Sequence, residues 1–122
     1  MSDIKYLETH EWYLLKEEVI TVGISDFAQN ELGDIVFVEI ETEGETLDME
    51  EIFGSVEAVK TVSDLFMPLS GEIITFNENL DGNPELVNSD PYNDGWMIKI
   101  KISNIEEINN LMDSDAYNLL IK

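Results

Sequence analysis

Short runs of β-branched and aromatic residues, separated by glycines and polar breaks, are the feature that most restricts how this chain folds. Residues 12–15 and 19–22 flank a polar break at 16–18, which predicts a first hairpin. Residues 35–40 and 73–76 each predict a further strand. None of these runs exceeds six residues, so we expect a mainly β fold built from short antiparallel strands.

A helix signal follows the second run. Ser25 is a candidate N-cap, Asp26 stands where the helix dipole favours an anion, and Gly33 ends the segment. These signals predict a short helix over residues 25–32, in the N-terminal half of the chain. The string at residues 83–86, which contains a proline, predicts a single helical turn or a bend.

A second helix is predicted near the C-terminus. Asn104 and Glu107 stand three residues apart, as in a capping box. Four apolar residues then fall on one helical face. They are Ile105, Ile108, Leu111 and Met112. We therefore predict a C-terminal helix that continues after Ser114.

A faint internal repeat has an offset of 38 residues. Residues 33–39 align with residues 71–77, and Gly44 aligns with Gly82. The repeat predicts two small antiparallel sheets related by a pseudo-two-fold axis, with glycines at the corners. Strings of this kind also arise by chance, so the repeat alone leaves the symmetry open.

Length and composition indicate one globular domain. The chain has 122 residues, of which 43% are hydrophobic, so we expect a single domain over residues 1–122 with Trp12, Phe37 and Trp96 in its core. The net charge is −21, with six lysines and no arginine. Such a charge repels phosphate backbones and anionic lipid, so proteins with basic faces are favoured over nucleic acid and membranes as partners. A strong net charge also serves plain solubility.

The chain has no cysteine, and His10 is its single histidine. Disulfides, thiolate sites and multi-histidine metal sites are therefore excluded, and the acidic residues lack the spacing of a calcium loop. The sequence contains no catalytic constellation, so we expect a protein that is not an enzyme and binds no metal. Charged residues interrupt the first twenty positions, which leaves no apolar signal segment and predicts a cytoplasmic protein.

Lys60 is the one cation among twenty carboxylates between Glu17 and Ile98. Small and β-branched residues flank it, and Gly71 follows eleven residues later, which predicts a hairpin with Lys60 at its tip. A stiff, exposed turn offers an amine that is both reachable and fixed, as attachment of a cofactor in amide linkage requires. On spacing alone, an ordinary lysine in a β-turn is the commoner interpretation.

Ordered sequence strings run along nearly the whole chain. They are Thr9-His10-Glu11-Trp12, Val22-Gly23-Ile24-Ser25-Asp26-Phe27-Ala28-Gln29, Leu32-Gly33-Asp34-Ile35-Val36-Phe37-Val38, Val56-Glu57-Ala58-Val59-Lys60, Ser63-Asp64, Pro84-Glu85-Leu86-Val87-Asn88, Asp90-Pro91-Tyr92 and Gly95-Trp96-Met97-Ile98-Lys99-Ile100. Each string alone is weak evidence for any one family, but the order and spacing of all of them together are highly specific. In this respect the chain resembles the H protein of the glycine cleavage system, a family of lipoyl carriers.

The resemblance implies a fold and a cofactor. The fold is a barrel-sandwich hybrid of two small antiparallel sheets, with an N-terminal hairpin, a short helix and a C-terminal helical extension. Lys60 is implied as the attachment site of lipoate, held as lipoyl-lysine, and Glu57 as a residue that is recognised in the hairpin. Biotin carriers resemble one another in having methionine on both sides of the lysine, whereas Val59 and Thr61 stand here.

The role implied by the resemblance is that of a monomeric carrier rather than a catalyst. A pyridoxal-phosphate glycine decarboxylase would load the aminomethyl group of glycine onto the lipoyl arm. An aminomethyltransferase would pass the methylene carbon to tetrahydrofolate, and an FAD-dependent dihydrolipoamide dehydrogenase would reoxidise the arm. A lipoate ligase or lipoyl transferase would attach it. Tethering explains the design, since the cargo reaches each partner without diffusing away.

The resemblance also implies a cleft in which the loaded arm rests. Thr9, Glu11 and Asp64 are carried over as its polar groups. An aminomethyl group is cationic at neutral pH, so nearby carboxylates attract it, by about 0.5–1 kcal/mol for partly exposed charges. Glu11 and Asp64 are equally compatible with ordinary surface acids. For His10, a packing or hydrogen-bonding role is favoured.

Departures from the family pattern leave alternatives open. The family has serine where Thr9 and Ala58 stand, alanine where Thr61 stands, and proline within residues 41–43. These changes leave room for an H-like protein that donates its lipoyl group to 2-oxoacid dehydrogenases or serves a redox-defence pathway. An unmodified acidic binding module, with Lys60 merely at the surface, is a further interpretation. The sequence does not separate the glycine cleavage carrier from the H-like protein that passes on its lipoyl group.

Overall fold

A computed structural model of the protein describes residues 4–7, 9–103 and 112–121. The strands in this part of the chain are β1 Ile4–Tyr6, β2 Glu11–Lys16, β3 Val19–Ile24, β4 Ile35–Glu39, β5 Thr46–Leu47, β6 Ile52–Ala58, β7 Val62–Phe66, β8 Gly71–Phe76 and β9 Ile98–Ile102. The helices are α1 Asp26–Leu32, α2 Asn79–Gly82, α3 Leu86–Ser89 and α4 Ser114–Leu120.

The strands form two antiparallel sheets. The larger sheet has the order β1-β2-β3-β9-β8-β5, and the smaller has the order β4-β6-β7. The predicted mainly β architecture of two antiparallel sheets is therefore confirmed. In the described part of the chain the sheets are open, with six and three strands, rather than closed into one barrel.

The predicted first hairpin is formed by β2 and β3. Its register joins Glu11 to Ile24 and Lys16 to Val19, and Glu17 in the turn has a φ of 61°. The preceding strand β1 pairs with β2 and was not predicted, because three residues carry too short a pattern of alternation.

Local signals placed the first helix correctly. The Ser25 hydroxyl accepts a hydrogen bond from the Ala28 N–H (3.1 Å), and Gly33 ends α1 with a φ of 82° that favours glycine. The turn predicted around Pro84 is present and leads into α3 at Leu86, whereas α2 just before it was not predicted. In the part of the chain that the structure describes, no helix is long and apolar enough to cross a membrane.

Side chains from both sheets and from α1 form one buried cluster. Its members include Ile20, Ile73 and Ile100 from the larger sheet and Phe53, Val56 and Leu65 from the smaller. A second, smaller cluster contains Ile4, Tyr6, Trp12 and Tyr117. This cluster packs α4 against β1 and β2, so the C-terminal helix lies beside the start of the chain.

The prediction that Phe37 is a core residue is wrong, because this side chain is 47% exposed. A β-bulge lies between Ile35 and Phe37, where two steps along β4 match one step along β6. The extra residue breaks the alternation of faces, so Ile35 and Val38 point inward and Phe37 points outward. Trp12 is buried as predicted, whereas Trp96 is half-buried beside the smaller cluster.

The prediction for Met112 is also wrong. Its backbone forms a bridge with Tyr6, with N···O distances of 2.7 and 2.9 Å, so Met112 is extended rather than helical. Helix α4 begins at Ser114, and the Asp113 carboxylate accepts a hydrogen bond from the Ala116 N–H at 2.9 Å as its N-cap. The predicted capping box and helical face over residues 104–111 lie outside the described residues.

The two halves of the sequence repeat lie in different sheets. β4 follows Gly33 and β8 begins at Gly71, but glycine is required at these two positions for different physical reasons. Gly33 supplies a positive φ, whereas a Cβ at Gly71 would lie 2.3 Å from the carbonyl oxygen of Lys101. Gly44 stands in a turn while Gly82 ends α2, so this part of the alignment has no structural counterpart.

Candidate functional site

Lys60 lies at the tip of the β6–β7 hairpin and is exposed, as predicted. The turn is closed by a hydrogen bond from the Ala58 N–H to the Thr61 carbonyl (2.7 Å). A second bond runs from the Val59 N–H to the Asp34 carbonyl (3.0 Å), which ties the turn to the residue before β4. The amine therefore projects from backbone that is held on two sides.

Asn88 holds the backbone on both sides of Asp34, the residue to which the Lys60 turn is hydrogen-bonded. Its side-chain nitrogen donates to the Gly33 carbonyl and to Gln29 Oε1, both at 2.9 Å. Its Oδ1 accepts from the Ile35 N–H at 2.8 Å. The sequence strings include Asn88, but they do not show that its amide joins α3 to the end of α1 and the start of β4.

A cavity of about 200 Å³ lies beside the β6–β7 hairpin. Its walls combine apolar side chains from both sheets and α1 with a few polar ones. They are Thr9, His10, Glu11, Ile24, Phe27, Ala28, Glu31, Leu32, Val56, Ser63, Asp64 and Leu65. The structure thus brings the three predicted cleft residues, Thr9, Glu11 and Asp64, to one cavity. Glu57 is exposed on β6, opposite Val62, and does not line it.

Glu11 is a buried carboxyl, only 1% exposed. One carboxylate oxygen accepts a hydrogen bond from the Thr9 hydroxyl, and the other accepts from the Phe66 N–H at 2.9 Å. Burial raises the pKa of Glu11 from 4.5 to about 7, and the bonds from Thr9 and Phe66 oppose part of that rise. Glu11 therefore stands near the midpoint of its titration at neutral pH.

Asp64 differs from Glu11 in exposure. It lies on β7 opposite Ser55, with its side chain open to solvent. The expectation that both carboxylates are partly exposed therefore holds for Asp64 and is wrong for Glu11. A buried carboxylate interacts more strongly with a cation than an exposed one, because less water screens it. Across residues 4–7, 9–103 and 112–121, no group of acidic residues and histidine is arranged to hold a metal ion.

His10 has the packing and hydrogen-bonding role that was predicted for it. Its Nδ1 lies 2.6 Å from the Tyr117 hydroxyl, and its ring lies 5.0 Å from that of Phe27. Burial lowers the pKa of His10, and the charge of Glu31 opposes the shift. The contact with Tyr117 spans most of the chain, and no pattern in the sequence predicts it.

Comparisons with known proteins agree along the length of the chain. The sequence profile of the family described as glycine cleavage H-protein matches residues 4–122. A glycine cleavage system H protein from Bacteroides fragilis is 52% identical over 120 residues, which cover 98% of this chain and 95% of the relative. One from Salinibacter ruber is 55% identical over 116 residues, covering 95% and 94%.

A solved structure agrees as well. The crystal structure of a glycine cleavage system H protein from Mycobacterium marinum superposes with a TM-score of 0.84 at 32% identity. The superposition covers 96% of this chain and 94% of that one. Sequence and fold therefore agree, and the chain belongs to the glycine cleavage H-protein family.

Proposed function

We propose that this protein is the lipoyl carrier of the glycine cleavage system and that Lys60 bears the lipoyl group. The observation that carries the proposal is the placement of Lys60. Its amine is exposed at a turn held by Asp34 and Thr61, and the cavity with Glu11 opens beside the same hairpin. An attachment site must be reachable and fixed in geometry, and this turn meets both requirements.

The residues around the cavity fit a lipoyl arm. Ser63 and Asp64 lie three and four residues beyond Lys60, which is at most about 10–13 Å of fully extended chain and within reach of a lysine lengthened by an eight-carbon acyl chain. When attached, lipoate would supply a disulfide that is reduced as it takes up the aminomethyl cargo, and the dithiol that is left after the cargo has been passed on would be reoxidised to the dithiolane. Apolar walls such as Ile24 and Val56 suit the chain and the ring, and Glu11 suits the cationic amine.

The buried carboxyl of Glu11 gives the cavity its selectivity for loaded arms. An unloaded dithiolane is neutral and offers no partner to a charged Glu11, so burial disfavours the carboxylate there. A loaded arm brings a cation that pairs with the carboxylate and offsets its loss of hydration. The Thr9 hydroxyl and the Phe66 N–H orient the two oxygens, so the carboxylate is positioned before the arm arrives.

Partners of this protein belong to the glycine cleavage system. We propose that they are glycine decarboxylase with pyridoxal phosphate, the tetrahydrofolate-dependent aminomethyltransferase and the FAD-containing dihydrolipoamide dehydrogenase, with a lipoate ligase or lipoyl transferase attaching the arm. The net charge of −21 favours partner faces rich in lysine and arginine and disfavours nucleic acid. Catalysis stays with these enzymes, and the chain acts as one domain and as a monomer in the cytoplasm.

Peptide mapping after expression with lipoate and an active ligase tests the attachment site. We expect one lipoyl group per chain, on the peptide that contains Lys60. Lys60→Arg keeps the positive charge and should remain unmodified, whereas Lys101→Arg, at an exposed lysine on β9, should be modified like the wild type. Lipoylation of Lys60→Arg, or no modification of the wild type, would refute the proposal.

A further inference from the structure

Tyr117 connects α4 to two distant segments of the chain. It is 2% exposed, and its hydroxyl lies 2.6 Å from His10 Nδ1 and 2.6 Å from Ser25 Oγ. Its ring stacks on Tyr6, with centroids 4.2 Å apart and planes 2° apart. One buried hydroxyl therefore joins the C-terminal helix, the segment between β1 and β2, and the N-cap of α1.

The hydrogen bonds of Ser25 indicate which groups donate and which accept at this junction. Ser25 Oγ accepts from the Ala28 N–H, so its own hydrogen is available for the Tyr117 oxygen. The Tyr117 hydrogen then goes to His10 Nδ1, which must be unprotonated to accept it. The reverse direction would leave the buried Ser25 hydroxyl hydrogen without an acceptor among the described residues, at a cost in free energy. This direction requires a neutral His10 with its proton on Nε2.

His10, which is bonded to Tyr117, lines the cavity itself. His10 has a φ of 76°, a conformation that costs a residue other than glycine free energy. Its N–H donates to the Leu7 carbonyl (3.0 Å), and its carbonyl accepts from the Ser25 N–H (2.9 Å). Thr9 and Glu11, on either side of it, line the cavity and are hydrogen-bonded to each other. Their placement thus depends on the tight turn at His10.

We propose that Tyr117 is a positioning residue for the cavity, acting through His10 to hold the turn that presents Thr9 and Glu11. Tyr117 does not line the cavity, whereas His10, which its hydroxyl contacts at 2.6 Å, does. The C-terminal helix thereby contributes to retention of the loaded arm without touching it. This inference rests on the proposed function, because it concerns the same cavity.

The first test is spectroscopic and needs no cargo. His10 is the single histidine, so the ¹⁵N signals of a histidine-labelled sample report on it alone. We expect a neutral ring with the proton on Nε2 in the wild type and a mixture of tautomers in Tyr117→Phe, which keeps the ring and removes the hydroxyl. Tyr92→Phe is the matched control. Its hydroxyl, in the same small cluster, accepts from the Asp26 N–H (3.0 Å) and should leave His10 unchanged. A proton on Nδ1 in the wild type would overturn the inferred chain of hydrogen bonds.

The second test measures retention of cargo. Lipoylated wild type, Tyr117→Phe, Tyr92→Phe and Glu11→Gln are loaded by glycine decarboxylase with glycine, and ammonia release is followed after the enzyme is removed. We expect Tyr117→Phe, which loses the hydrogen bonds to His10 and Ser25, to release ammonia about fivefold faster than wild type. Tyr92→Phe should match the wild type. Thermal unfolding verifies that each variant is folded.

The outcomes separate the two proposals. Fast release from Glu11→Gln with wild-type release from Tyr117→Phe would overturn the role of Tyr117 and leave the carrier function standing. Release from the wild type as fast as from denatured protein would overturn the protective cavity, and with it the role of Tyr117. Equal acceleration in Tyr117→Phe and Tyr92→Phe would show a general loosening of the small cluster and would also overturn the inference.

Discussion

Replacement of Glu11 by glutamine should change how the stability of the unlipoylated protein depends on pH. The pKa of Glu11 is raised from 4.5 to about 7, so between these values the folded state binds more protons than the unfolded state. The stabilisation is complete below pH 4.5 and is lost as the pH rises through 7. Because one pH unit corresponds to about 1.4 kcal/mol, the loss totals about 3 kcal/mol, most of it between pH 5 and pH 8.

Urea unfolding at pH 5, 6, 7 and 8 measures this effect. The informative quantity is the difference between wild type and Glu11→Gln, because contributions that the two proteins share cancel in it. That difference should shift by about 2–3 kcal/mol in favour of the variant from pH 5 to pH 8. Asp64→Asn, at an exposed carboxylate, is the control and should keep the wild-type slope. Parallel curves for wild type and Glu11→Gln would refute the claim that Glu11 titrates near neutrality.

Two further predictions concern the cavity and the hydrogen bonds of Asn88 behind the Lys60 turn. Glu11→Gln should speed the release of formaldehyde and ammonia from loaded protein by about tenfold or more. Asp64→Asn should speed it by less than about threefold, because of these two carboxylates Glu11 is the buried one. Equal effects of the two variants would contradict the claim that the buried carboxylate contributes more than the exposed one. Asn88→Ala removes three hydrogen bonds and should lower the free energy of unfolding in urea by about 2–3 kcal/mol, while Asn93→Ala, an exposed asparagine, should not. A loss below about 0.5 kcal/mol would contradict the anchoring role of Asn88.

Sequence reasoning succeeded where the determining interactions are local. The β2–β3 hairpin, the Ser25 cap of α1 and the Ala58–Thr61 hydrogen bond that closes the Lys60 turn each join residues close together in the chain. It failed where one extra residue changes the register between two strands, and where a residue distant in the chain determines the local backbone conformation. The bulge before Phe37 cannot be read from a run of apolar residues, and Met112 is extended because Tyr6 pairs with it.

The candidate site shows the same division. The family strings identified Thr9, Glu11 and Asp64, and the structure brings these residues to one cavity. They gave no sign that Glu11 is buried while Asp64 is exposed, because burial depends on packing of the N-terminal segment against β7. Nor did they show the contact of Tyr117 with His10, which joins residues 107 positions apart.

Glycine-dependent exchange of carbon dioxide tests the carrier function most directly. Fully lipoylated protein is mixed with glycine decarboxylase, glycine and labelled bicarbonate, and incorporation of label into the carboxyl carbon of glycine is measured. We predict exchange that depends on lipoylated protein and is absent with Lys60→Arg. No exchange with fully lipoylated wild type, under conditions in which the decarboxylase works with its own carrier, would contradict this function and favour a role in passing lipoyl groups to other proteins.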